Sequence, residues 1–227
     1  MPYRLRRGTA GLIFHVLNRA VRRARLFDNG TDYAAFLMVL REAQRRIPLR
    51  ILAYCIMPNH FHLVAWPAED NELSGFMHWL TSTHSKRWHV YHETRGTGSV
   101  YQGRFKSFPV QTDSHFLTVC RYVEQNPLRA GLVQRAEDWA WSSLWDHCRN
   151  YNRVKLEEWP ILRPADWLES VNRLDSIAAP QIRRSILRSR PYGEAGWRER
   201  IAGQLGLKST LRPIGRPKTS GSVLQKT

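Results

Sequence analysis

Residues 49–66 read LRILAYCIMPNHFHLVAW, and this stretch decides the fold. Two apolar runs, 49–56 and 60–66, flank the turn Met57-Pro58-Asn59. Both runs are rich in Ile, Leu, Val and aromatic residues, so a β-hairpin is expected. Side chains alternate across a strand. His60, His62, Val64 and Trp66 therefore share one face, and Phe61, Leu63 and Ala65 take the other. Two imidazoles on one face can share a cation; on a helix the same spacing would splay them by roughly 200°. An HxH alone is weak in a chain with nine histidines. Val64 completes neither the metallo-β-lactamase pattern, which wants an Asp soon after, nor the histidine-triad pattern. HExxH is absent as well.

Outward from the hairpin, residues 11–17 read as a strand carrying Leu12, Ile13, Phe14 and Val16. From Asp32, apolar residues recur at helical spacing (Phe36, Leu37, Leu40, Ala43) until Pro48. Downstream, 71–92 is a longer helical pattern and 96–99 a Gly-rich loop. Residues 105–111 are a fourth strand. A third helix is expected from an Asp113 cap to Asn126, before Pro127. Strand, helix, strand, strand, helix, strand is the split βαβ pattern of an α+β, ferredoxin-like antiparallel sheet with packed helices. Residues 1–150 form the expected main domain. Residues 151–213, with Trp159, Trp167 and Trp197 among prolines, read as a helical extension and a candidate DNA-binding element. Residues 214–227 read as a flexible basic tail.

Charge separates along this frame. The 227 residues carry 35 Lys and Arg against 19 Asp and Glu, a net charge of +16. Residues 1–50 hold 11 basic residues against 3 acids, and 183–227 hold 11 against 2, while 51–182 is close to neutral. Basic margins on a neutral core suit a polyanionic partner. Three cysteines without a CxxC argue against a disulfide framework or a zinc ribbon and fit a reducing cytosol, hence a cytoplasmic location. No leader pattern and no run near the ~20 apolar residues of a membrane span is expected.

Tyr122 and Asn126 lie four apart in the third helix and so on one side of it. At roughly 100° per residue, Phe116, Val119, Cys120 and Val123 form a buried stripe, and Tyr122 and Asn126 flank it. A tyrosine and an amide beside a His pair suggest a chemistry. A cation held by two imidazoles and an amide oxygen polarises a phosphodiester, and a tyrosine attacks phosphorus.

The segments FHVLNRAVRRARLF, YCIMPNHFHLVAWP, GRFKSFPVQTDSHFLTVCRYVEQNPLRAGLV and WAWSSL resemble the single-tyrosine HUH transposases. The similarity is greatest to the branch associated with repetitive extragenic palindromes (REP); the IS200/IS605 insertion-sequence transposases share the core. The resemblance covers about residues 8–150 and implies an HUH nuclease core, a metal pair at His60 and His62, a catalytic Tyr122 and a third metal-facing group at Asn126. Insertion-sequence relatives usually carry Gln at that last position. It also implies Mg2+ or Mn2+, a single-stranded or hairpin DNA substrate, and a DNA transposase or endonuclease that works through a 5′-phosphotyrosine, either as a monomer or as a homodimer.

Arg19, Arg22, Arg23 and Arg25 after the first strand, Arg104 and Lys106, and Arg216 in a Gly-Arg-Pro minor-groove motif are the candidate DNA contacts. Trp66 and Tyr101 are candidate stacking platforms. Two readings compete with the transposase: a domesticated hairpin-binding regulator without efficient catalysis, and a nuclease that activates water.

Overall fold

The computed structural model describes residues 8–174 and 177–212. Four strands form one antiparallel sheet in the order β2-β3-β1-β4. They are β1 (Ile13–Arg19), β2 (Arg50–Met57), β3 (His60–Trp66) and β4 (Lys106–Val110). β1 sits between β3 and β4, and β3 between β1 and β2, which is the ferredoxin-like arrangement the element order implies. The hairpin closes at Met57 opposite His60, across a two-residue Pro58-Asn59 turn.

Helix α1 (Gly30–Arg46) begins two residues before the expected Asp32, because the Asn29 side chain caps it by accepting from the N–H groups of Thr31 and Asp32. Helix α2 (Glu72–Tyr91) packs beside α1 on one face of the sheet. There Phe36, Leu40, Phe76 and Leu80 meet Phe14, Val16, Phe61 and Leu63 in a closed apolar layer. Tyr101 belongs to this layer: it is buried and its hydroxyl meets His84 Nδ1 at 2.8 Å, so it is core and no stacking platform. Trp66 is half-buried, donates to the Gly11 carbonyl and carries the Arg50 guanidinium 3.8 Å from its ring centre.

The opposite face is covered by α3 (Ser114–Glu124), whose Phe116, Val119 and Val123 pack on Ile13, Val64 and Phe108. This helix stops at Glu124, short of the expected Asn126. A separate turn, α4 (Asn126–Arg129), follows with Pro127 in its first turn. Proline has no N–H to donate, which costs nothing in the first turn of a new helix. After α5 (Ser143–Cys148), the C-terminal segment touches both sides of the sheet, Val154 and Leu156 packing with the α1/α2 layer and Trp167 and Ile182 with the α3 side. It contains α6 (Trp167–Asn172), α7 (Ala178–Arg188) and α8 (Ala195–Gln204). Trp167, Val171 and Ile182 join the α3-side core, and Trp159 donates to the Leu52 carbonyl. Tyr192 pairs with the free edge of β4, so the extension also caps the sheet.

Candidate active site

Alternation in β3 does what the spacing requires. Phe61, Leu63 and Ala65 enter the α1/α2 core, whereas His60 and His62 project on the α3 side, with ring centroids 4.9 Å apart. Tyr122 reaches them from α3, 6.0 Å from the His62 ring and edge-on to it. Tyr122 and Asn126 are both buried, at 8% and 7% exposed, and Tyr122 belongs to the α3-side core rather than only flanking it. The Asn126 amide nitrogen donates to the Tyr122 carbonyl, so the break before Pro127 leaves the two side by side.

The hydrogen bonds around His60 settle its tautomer. The Asn59 amide nitrogen donates to the Arg23 carbonyl, which turns its oxygen toward His60 Nδ1 at 2.6 Å. An amide oxygen only accepts, so the His60 proton is on Nδ1 and Nε2 keeps a lone pair. His62 Nδ1 lies 2.8 Å from His15 Nε2. Burial, then repulsion from Arg19 and Arg129, pushes His60 down to about 3. Burial, followed by His60, places His62 well below the usual range. Both rings are therefore neutral at physiological pH, the state in which imidazole binds a cation. Among the described residues no group of three or more His, Cys, Asp or Glu side chains is placed to hold a metal ion. Asn126 lines the same cleft and brings an amide oxygen to it. Two imidazoles and one amide oxygen fit a divalent cation of mixed N/O preference with positions left open.

Arg129 was not legible in the sequence pattern. Its Nη2 donates to Asn126 Oδ1 at 2.7 Å, and its guanidinium lies 4.0 Å from the centre of the Tyr122 ring. A cation thus already engages the amide oxygen and covers the phenol face. His15 was missed as well: fully buried, it touches His62 and lies edge-on to Tyr122.

His60, His62, Tyr122, Asn126 and Arg129 line a cleft of about 640 Å³, with His15 buried behind it. Arg19, Arg104, Lys106, Arg129 and Arg183 contribute five cationic side chains to its walls, and no carboxylate among the described residues lines it. Arg22, Arg23 and Arg25 do not line it; they sit on an exposed loop where Arg25 pairs with Asp28 at 3.1 Å. Arg22 and Arg23 both take left-handed backbone there. Arg216 and the tail lie outside the described residues. The extension contributes Arg183, Ile186 and Leu187 of α7 to the cleft, some sixty residues beyond Tyr122 in sequence.

The four-stranded sheet carries a His pair with a helix-borne tyrosine facing it, and the chain belongs to the IS200-like transposase family. The family model described as Transposase IS200 like matches residues 9–126, just over half of the chain. The chain is similar to the Haemophilus influenzae protein named "Putative REP-associated tyrosine transposase", 25% identical over 146 residues that cover 60% of this chain and 77% of the relative. Its fold matches a solved REP-associated tyrosine transposase bound to a REP hairpin, with a TM-score of 0.52 at 21% identity. That match covers 71% of this chain and 94% of the other. No helix among the described residues is long and apolar enough to cross a membrane.

Proposed function

We propose that this transposase-family chain cleaves and rejoins single-stranded DNA at the foot of a REP-like hairpin, with Tyr122 as the nucleophile. One observation carries the reading: Tyr122 stands beside two neutral imidazoles in a cleft with five cationic side chains and no carboxylate. Such a wall attracts a phosphodiester and repels nothing on it. Tyr122 Oη attacks the phosphorus. The Oη–P bond forms as the P–O3′ bond breaks; the phenol proton leaves to solvent, and the departing O3′ takes one up. The 5′ phosphate stays on the tyrosine, and a free 3′-hydroxyl reverses the step without ATP. His60, His62 and Asn126 would hold Mg2+ or Mn2+, which polarises the scissile phosphate when bound. Arg129, which covers the phenol face, and Arg19, which lines the same cleft, neutralise the phosphate. Arg104 and Lys106 carry the strand away along β4. Arg183 and the exposed Leu187 extend the cleft to an unpaired nucleotide, which gives the C-terminal extension a role in substrate contact.

The test is a denaturing gel of protein, manganese and single-stranded oligonucleotides from the palindromes that flank the gene. A slow covalent band, lost with EDTA and lost in Tyr122→Phe, is the expected result. Free cleaved DNA without a covalent band would favour a water-activating nuclease. Tight hairpin binding without cleavage would favour the binding regulator.

A further inference from the structure

His15 is an unusual residue for its position. It lies in the middle of β1, fully buried, between Phe108 of β4 and the hairpin strand β3. The register puts Val64 directly opposite it and His62 opposite Leu17, so His15 and His62 are diagonal neighbours on the α3 face. Its Nε2 meets His62 Nδ1 at 2.8 Å. Its Nδ1 is buried with no partner among the described residues. A leucine or phenylalanine would fill this slot without stranding a polar atom, so packing does not account for an imidazole here.

The pair shares a single proton between Nε2 of His15 and Nδ1 of His62. If His15 donates it, the proton of neutral His62 sits on Nε2 and that nitrogen has no lone pair to offer. If His62 donates it, His62 Nε2 keeps a lone pair, as His60 Nε2 already does. Only the second arrangement makes both rings of the HxH pair cation donors. Metal-binding histidines regularly donate their remaining N–H to an acceptor behind them, which fixes both tautomer and ring orientation.

We infer that His15 is a positioning residue that accepts the His62 Nδ1–H and so holds His62 in its cation-binding tautomer. This role rests on the proposed metal site at His60 and His62. It makes β1, a strand with no ligand of its own, part of the metal-binding apparatus. An acceptor at residue 15 is what matters, and imidazole basicity is not required. Glutamine, whose Oε1 reaches about as far as Nε2, should therefore serve, whereas an apolar residue should not.

The experiment is Mn2+ titration of the full chain without DNA, followed by the loss of the free-ion electron paramagnetic resonance signal. Wild type, His15→Leu, His15→Gln and His60→Ala are compared, with thermal melts in EDTA to check folding. The expected result is a 10- to 100-fold weaker Mn2+ affinity in His15→Leu, recovery to within a few-fold of wild type in His15→Gln, and folded protein in both. If His15→Leu does not fold, His15→Met replaces it as the apolar variant. The tautomer has its own readout: 15N chemical shifts of His62 with Mg2+ should show a protonated Nδ1 and an unprotonated Nε2. Wild-type Mn2+ affinity in folded His15→Leu or His15→Met, or equal losses in the apolar and Gln variants, would overturn the inference and leave the site reading standing. No Mn2+ binding by wild type, or none lost in His60→Ala, would overturn both.

Discussion

The two faces of the sheet are built from the same strands and do opposite things. On the α1/α2 side β3 contributes Phe61, Leu63 and Ala65, all fully buried in a continuous apolar layer. On the α3 side the same strand contributes His60 and His62, and β1 adds His15. Polar strain collects on that second side. Of the five buried side-chain polar atoms that have no partner among the described residues, His15 Nδ1, Arg19 Nε and Arg129 Nη1 are three, and all belong to the cleft or its support. Period-two alternation thus lets one seven-residue strand face a closed apolar layer on one side and a polar cleft on the other.

That division is breakable by a pair of substitutions on opposite sides of the sheet. Tyr122→Phe should reduce covalent adduct formation by about a thousand-fold or more, because no other phenol among the described residues lines the cleft. It should leave the melting temperature nearly unchanged, since the ring still packs under Arg129. Phe61→Ala, on the apolar face, should lose about 3–5 kcal/mol of stability by denaturant titration. Any activity it loses should return at temperatures where it is folded. A strongly destabilised Tyr122→Phe, or a Phe61→Ala that stays folded but inactive, would show that the faces are not separable in this way.

Acid gives a somewhat smaller effect and asks which face fails first. The apolar layer holds one imidazole, His84, against Phe36 and the Tyr101 hydroxyl. Burial lowers it to about 4, against a partly opposing Asp32 and with His92 adding to the fall. The unfolded chain takes up this proton near pH 6.5, and the folded chain resists until about pH 4. The stability His84 supports is therefore complete above pH 6.5 and lost as pH falls, by about 3 kcal/mol at pH 4. His84→Gln, which can still pair with Tyr101, should flatten the decline in melting temperature between pH 7 and pH 5. An unchanged slope would place the acid sensitivity on the α3 face instead, with His15 held down to about 3 by burial.

The hairpin was readable because its signals are local. The Pro-Asn turn sets the register, and the alternation of 60–66 then assigns every side chain to a face, as found. The order of elements was enough for the sheet order. What escaped depends on contacts between distant segments. His15 looks like one polar residue in an apolar strand, and only the β1–β3 register brings it to His62. Arg129 lies beyond a proline that reads as a helix stop, yet the fresh turn of α4 swings it back over Tyr122. Glu124 appears as one more charge in the third helix, although it is wholly buried, accepting from Ser143 and from Trp167 in the extension. The arginine run after β1 shows the complement: composition announces the charge, but only the backbone decides that Arg19 faces the cleft and Arg22, Arg23 and Arg25 do not.

The smallest effect separates a positive surface from a positive site. On the outside of α1 and α2, Arg87 makes a two-pronged pair with Glu42 at 3.0 and 2.8 Å, and its charge is already answered. Lys106 lies at the start of β4 on a wall without carboxylates. If Lys106 touches one phosphate of the bound strand, Lys106→Ala should weaken hairpin binding a few-fold at low salt. It should also reduce the slope of log affinity against log salt by about 0.9, the release of one counterion. Arg87→Ala should leave that slope unchanged, and its surface pair should contribute less than about 1 kcal/mol to stability. Equal changes in slope for both variants would mean that DNA senses only the net charge of +16. A change confined to Lys106 would place the strand in the cleft, on the face that carries Tyr122.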